Sequence, residues 1–339
     1  MRVLVTDAAG PVGGRLVPAL AAAGHEPVVL VRDADAVDVG DDVRVIEGDP
    51  AAPESFRLVT GASATAGQSL ARLLTAVAVD AAYVLGDDPL LPTDESRAVA
   101  AAAADAAAAA GVDRIVTLGA LGDRDPGTSD SDADGDEAES DDTTADVAAG
   151  GTPAAETAVT TLRTGVVVGA GVRSFEIARR LAARHAVAVT PRWVRTDCQP
   201  VAVDDLVASL VAAVDAPDAA GGTFDVGGPD VVTFGSLLRR IRAALGGRLY
   251  ALPVPVAARR LSARWVASAA DVDAADAAAF VDAFRAPLVA ADGAALHDHV
   301  GGDAPSTPVS DAVGRALGVD DADADPGSAG TAAEPPLQT

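Results

Sequence analysis

The chain has 339 residues and a formal net charge of −25, with 50 acidic side chains against 25 basic ones that are all arginine. The absence of lysine excludes Schiff-base catalysis, P-loop phosphotransfer and a Tyr-x-x-x-Lys proton relay in their usual forms, and the charge excludes nucleic acid and anionic membrane surfaces as partners. At about 150 residues per unit the length suggests two lobes. A hydrophobic fraction of 49%, with only two Trp, two Tyr and six Phe, means a core of Val, Leu and Ala. The single cysteine, Cys198, excludes an internal disulfide and fits a reducing compartment. Met-Arg-Val-Leu-Val has no signal-peptide layout, and the Ala-rich run 98–110 is broken by Asp105 and too short for a bilayer, so a soluble cytoplasmic protein is expected.

Residues 3–5 form a short apolar run, followed by a Gly-containing turn and the helical spacing of Leu16, Leu20 and Ala23. Pro11 suits a first helical position and Gly24 a C-cap. Further strands are expected at 27–31, 43–46, 82–85 and 114–118, with Ala-rich helices between the later ones. This alternation predicts an α/β protein with a Rossmann-type doubly wound parallel sheet. The pattern stops after Gly122. Residues 123–146 hold eleven acids, one arginine and no large apolar residue, a composition that cannot bury enough surface to order the backbone. Regular structure resumes at 158–162, a strand at 165–168, a helix at 174–184 and a strand at 187–189. The expected organisation is a dinucleotide-binding domain over 1–122 and 157–189, an acidic disordered loop over 123–156, a C-terminal lobe over 190–320 and a disordered tail over 321–339.

The first turn carries the strongest signal. In a dinucleotide-binding βαβ unit, glycines let the backbone approach a pyrophosphate that rests on the N–H groups at the helix start. The segment V-T-D-A-A-G-P-V-G-G-R-L resembles the fingerprint of extended and atypical short-chain dehydrogenases, with Gly10 and Gly13 at its second and third glycines and Asp7 at the first. Asp7, Ala8, Ala9, Gly10, Pro11, Val12 and Gly13 are therefore the expected phosphate cradle. Asp tolerates positive φ, but its carboxylate would lie close to the pyrophosphate. The second strand ends Leu30-Val31-Arg32-Asp33, so Arg32 stands where it favours the 2′-phosphate of NADP(H), or else pairs with Asp33 at the strand end. The resemblance places Asp49 toward the adenine. A second glycine cluster, residues 59–67, imitates a nucleotide-binding turn but follows three strands already used, and reads as an insertion before a surface helix.

Other constellations are weaker. Residues 130–141 imitate an EF-hand with Glu137 where an apolar anchor belongs and Asp141 in place of Glu. Thr117, at the end of the fifth strand, is the candidate nucleotide-facing or catalytic hydroxyl. The tyrosines, Tyr83 and Tyr250, stand where they pack rather than where a catalytic tyrosine belongs. Of the histidines, His25, His185, His297 and His299, the last two offer two imidazoles without a third ligand, so no metal site is expected. Cys198 reads as a small buried residue.

Residues 190–203, with 223–229 and Leu252-Pro253-Val254-Pro255, resemble the atypical short-chain dehydrogenases related to NmrA and to the NAD(P)-binding accessory subunit of respiratory complex I. The resemblance implies a smaller C-terminal α/β lobe closing over the nicotinamide end, with Arg192, Trp193 and Arg195 lining the cleft; an Arg-aromatic cluster locking the lobes is the alternative. It also implies a dinucleotide cofactor, for which Arg32 puts NADP before NAD, and leaves two functions open. One is a redox-sensing or electron-transport accessory protein associated with a membrane-bound respiratory complex. The other is an NADPH-dependent reductase or isomerase acting on a small carbonyl or quinone. A vestigial fold without cofactor is the weakest alternative. The many acids, the missing Lys and Asn and the abundant Ala resemble proteins of salt-accumulating archaea. Stability in molar KCl and unfolding in dilute buffer are expected, because at about 1 M salt charges are screened beyond about 3 Å.

Overall fold

A computed structural model describes residues 1–40, 43–49, 52, 54–60, 63–86, 88–121, 157–184, 187–253, 259–291, 295–300 and 305–319. The expected acidic loop, the EF-hand-like pattern, His185 and the expected tail lie outside the described residues. The chain runs β1 (Arg2–Val5), α1 (Gly13–Ala22), β2 (Glu26–Val31), β3 (Arg44–Glu47), β4 (Arg57–Thr60), β5 (Ser63–Ala64), α2 (Leu70–Val77), β6 (Ala81–Val84), α3 (Asp94–Ala109), β7 (Arg114–Ala120) and β8 (Ala158–Thr164). It continues through β9 (Val167–Val168), α4 (Arg173–Arg184), β10 (Val187–Thr190), β11 (Asp197–Cys198), β12 (Val201–Ala202), α5 (Val203–Asp215), β13 (Thr223–Val226), β14 (Val232–Thr233) and α6 (Phe234–Ala244). The last elements are β15 (Tyr250–Pro253), α7 (Arg259–Ala270), α8 (Ala274–Ala283), α9 (His297–Val300) and α10 (Val309–Leu317).

Among the described residues, nine strands form one sheet in the order β13-β8-β7-β6-β1-β2-β3-β4-β5. Pairing is parallel from β13 to β3, and the β4–β5 hairpin closes the other edge antiparallel. This is the α/β Rossmann-like architecture. The central strands are apolar almost without interruption because helices cover both faces. Side chains alternate: Val3, Val5, Val29, Val31, Tyr83 and Val116 pack with residues of α1, α4 and α5, whereas Leu4, Val28, Leu30, Ala82, Val84 and Ile115 pack with α2 and α3. Helix α3 buries Ala100, Ala103 and Ala107, small residues at helical spacing that let its backbone lie close to the strands.

The second glycine cluster precedes α2, and within it Val59 pairs antiparallel with Ala64 and Thr60 with Ser63. One feature differs from the sequence expectation. The stretch expected to be a separate lobe from 190 onward also contributes to the main layer. Strand β13 pairs with β8 and α5 packs on α1, while β12 pairs with β9 in a separate two-stranded sheet. Helices α6 and α7 pack beside α4, and α10 packs on α6, with β10 parallel to β15 and β11 antiparallel to β14.

Candidate functional site

The turn after β1 is built around Asp7, whose φ is +52°. The Gly10 N–H donates to the Asp7 carbonyl at 2.8 Å, and the Gly14 N–H donates to the Gly10 carbonyl at 2.9 Å. A β-carbon on Gly10 would stand 1.9 Å from the Asp7 carboxylate, and one on Gly13 would stand 2.2 Å from the Asp7 carbonyl oxygen. Both glycines are thus required by close approach, and the Asp7 side chain fills the space beneath Gly10. Ala8 and Val12 are buried anchors, Ala9 is exposed and Pro11 is half-buried. Val12 is the N-cap of α1 and makes no side-chain capping bond, and the first turn holds no acid. It carries Arg15 instead, which donates to the Pro11 carbonyl at 2.6 Å and lies 3.7 Å from Asp204. A helix start without a capping side chain, with an arginine in its first turn, suits an anionic ligand.

Arg32 projects from the end of β2 and forms an ion pair with Glu95, in the first turn of α3; both side chains are more than half exposed. The sequence pairing with Asp33 is corrected: the Asp33 carboxylate accepts the Asp35 N–H at 3.0 Å and caps its own turn. Asp49 is exposed beyond β3, its N–H donating to the Ser55 hydroxyl at 2.8 Å, while Gly48 leaves room for Phe56, 2.3 Å from where its β-carbon would be.

The ends of β1 and β6 are joined by Thr6, whose buried hydroxyl accepts the Leu85 N–H at 2.8 Å and donates to the Leu85 carbonyl at 3.0 Å. Just beyond, Asp88 is 1% exposed and its carboxylate accepts the N–H groups of Leu90 at 2.9 Å and Ser174 at 2.7 Å. It thereby ties the loop after β6 to the start of α4. Burial raises its pKa above the ordinary value; the hydrogen bonds from Ser174 and Leu90 and the charge of Arg173 oppose this and are outweighed. Thr117 stands inside β7 and not at its end, because the strand continues to Ala120. It pairs with Val84 and Thr161 and is half-buried on the Ile115 face. Sequence reading did not single out Thr6, Asp88 or Glu95 for the site. Only Glu95 had a local signal, the Thr93–Ser96 capping box that fixes its helical turn.

Arg192, Trp193 and Arg195 occupy one helical turn after β10. Trp193 stacks on Phe234 with ring centroids 5.6 Å apart, and also meets Phe280 and Phe284. Its indole Nε1 is buried without a hydrogen-bond partner among the described residues. Arg192 and Arg195 are exposed, and no ion pair among the described residues includes them. The aromatic lock therefore exists without the arginines.

The remaining candidates are held in structural roles. Tyr83 is fully buried, its hydroxyl donates to the Leu210 carbonyl at 2.6 Å, and burial, with the charge of Asp215, pushes its pKa far above the usual phenol range. Tyr250 begins β15. Cys198 is buried, its thiol donates to the Val232 carbonyl at 3.3 Å, and burial and the charge of Asp197 push it up to about 12. His25 Nε2 lies 3.2 Å from Asp215. His297 and His299 fall in the short α9 turn, where the His299 ring packs 5.0 Å from Phe224. No group of three metal-ligating side chains occurs among the described residues, and no described helix is long and apolar enough to cross a membrane.

Residues 8–147 match a family model described as NAD(P)H-binding. No curated protein matches the chain. Among solved structures, the NADPH-dependent quinone oxidoreductase from Escherichia coli complexed with NADPH is 16% identical, with a TM-score of 0.66 covering 93% of this chain and 99% of that one. The Citrobacter sp. triphenylmethane reductase complexed with NADP(H) is 19% identical, with a TM-score of 0.64 over 94% and 100% of the two chains. The Bordetella bronchiseptica enzyme WbmG in complex with NAD is 17% identical, with a TM-score of 0.61 over 94% and 93%. The chain thus has an NAD(P)H-binding domain on a Rossmann-like fold.

Proposed function

We propose that the protein is an NAD(P)H-dependent reductase of the atypical short-chain dehydrogenase type, with a small quinone as its acceptor. The observation that carries this reading is the cradle at Asp7, Gly10 and Gly13, where the backbone leaves no room for a side chain at either glycine and α1 starts without a capping side chain. Bound there, the dinucleotide supplies a hydride. The chain's own part is to hold the pyrophosphate over residues 7–13, to meet the adenine end with Arg32 and Asp49, and to offer the exposed Arg192 and Arg195 to the acceptor. Arg32 inclines the site to NADPH.

The acceptor class follows from acid–base chemistry. A simple ketone becomes a strongly basic alkoxide on accepting hydride and needs a positioned proton donor, the role of a catalytic Tyr. Tyr83 is buried and committed to Leu210, and no lysine exists to lower a phenol pKa. A quinone becomes a hydroquinonate, an anion stable enough to take its proton from water, so it suits a site without that pair. The similar folds of the E. coli quinone oxidoreductase and the Citrobacter triphenylmethane reductase support the same reading.

The second reading, a cofactor-binding sensor or accessory protein of a respiratory complex, is favoured by the same commitment of Tyr83. Titrating NADPH and NADH in molar KCl and then following absorbance with quinone and carbonyl acceptors separates the two. Turnover with quinones supports the reductase, binding without turnover supports the accessory protein, and failure of both nucleotides to bind removes both.

A further inference from the structure

The choice between the two nicotinamide dinucleotides turns on the group that meets the adenosine 2′-position: a carboxylate accepts hydrogen bonds from the free hydroxyl of NAD(H), while an arginine accommodates the phosphate of NADP(H). Strand β2 delivers only the second, because Val31 stands where the acid is expected and Arg32 follows it. The carboxylate arrives from elsewhere. Helix α3 opens with Thr93 as N-cap, the Ser96 N–H donating to the Thr93 hydroxyl at 3.0 Å and the Thr93 N–H donating to the Ser96 hydroxyl at 3.0 Å. This box fixes the turn that carries Glu95. Its neighbour Asp94 faces Arg97, at 3.8 Å, and Glu95 pairs with the Arg32 guanidinium.

We infer that Glu95 is the specificity-determining residue of the cofactor site, supplying from α3 the carboxylate that β2 lacks and so restraining the preference of Arg32 for NADPH. The inference rests on the dinucleotide-binding reading above. Glu95 engages one terminal nitrogen of Arg32, and Arg has five N–H donors, so the guanidinium can still meet a phosphate. The same carboxylate, one guanidinium away, repels a phosphate dianion and accepts a hydrogen bond from a ribose hydroxyl. The site therefore binds both dinucleotides with a small ratio between them. Both side chains are solvent-exposed, so the effect is modest and falls as salt rises.

The test is fluorescence titration of the full chain with NADPH and with NADH at one fixed KCl concentration. For Glu95→Gln the affinity ratio is expected to move toward NADPH by about fivefold, with NADH binding held or slightly weakened. Arg32→Ala is expected to lose NADPH affinity, and adding Glu95→Gln to it should still move the ratio toward NADPH, because the carboxylate repels the phosphate with or without Arg32. NADH binding in each variant reports that the fold is intact, a readout that a merely structural ion pair would move together with NADPH. Binding of both dinucleotides with an unchanged ratio in Glu95→Gln overturns the inference alone. Absence of binding by the wild-type chain overturns it together with the cofactor reading.

Discussion

The Asp88 carboxylate accepts the backbone N–H of Ser174 at 2.7 Å while leaving 1% of the residue exposed, so an acid from the loop after β6 serves as the anchor of α4. Removing it in Asp88→Ala leaves two buried N–H groups unmatched and is expected to cost about 2 kcal/mol of stability. Asp88→Asn keeps one of the two bonds and removes the ionisation. Because the folded-state pKa is raised above 3.8, the protonated form is favoured in the fold. Its stabilisation is full below the unfolded value and is lost as pH rises through the folded one. Denaturant unfolding across this range should show wild type losing stability relative to Asp88→Asn as pH rises from about 4. A pH-independent difference would contradict the assignment.

Asp7→Gly removes a carboxylate from beside the pyrophosphate and is expected to tighten dinucleotide binding about fivefold, from roughly 1 kcal/mol of repulsion in water. Gly10→Ala should abolish binding and destabilise the fold by about 2 kcal/mol, because its β-carbon meets the Asp7 carboxylate. In an Asp7→Gly background that collision disappears, so the penalty of Gly10→Ala should shrink. Thermal unfolding and binding of the four proteins close the cycle, and strict additivity would show that the two positions do not meet.

Cys198 should be inert. With its thiol pushed up to about 12 and fully buried, it is expected to resist an aromatic disulfide reagent at pH 8 in the folded protein and to react at once in denaturant. Stoichiometric labelling of the native chain within minutes would contradict that placement.

The net charge of −25 predicts a strong response to salt. Raising KCl from about 0.1 M to about 1 M shortens the screening length from about 10 Å to about 3 Å and relieves self-repulsion of the compact state. The thermal midpoint should rise across that interval, and equal midpoints would refute the expectation.

The parallel sheet was legible in the chain because its central strands are continuous apolar runs separated by helical spacing; β1, β2, β3, β6 and β7 stand where the pattern puts them. The antiparallel pairing of β4 with β3 was not, since nothing local to residues 57–60 tells an antiparallel edge strand from a parallel one. The phosphate cradle was local and therefore visible. Its flanking determinants were not: Glu95 lies far along the chain from Arg32, and Asp88 looks like any other acid in a sequence with 50 of them until its burial is known. The Trp193 cluster likewise joins residues from three separate segments.

Strand β13 has a consequence for how the molecule is made. On the ribosome β8 emerges with its outer edge of N–H and C=O groups unpaired, and the partner residues Thr223–Val226 follow only after α4, the Trp193 turn and α5 have been synthesised. Until then the nascent sheet presents an open edge of the kind that templates pairing with a neighbouring chain. The closing strand thus couples completion of the N-terminal sheet to translation of the second half, and a polypeptide stopped after β10 would be left with a sticky margin in place of a finished domain.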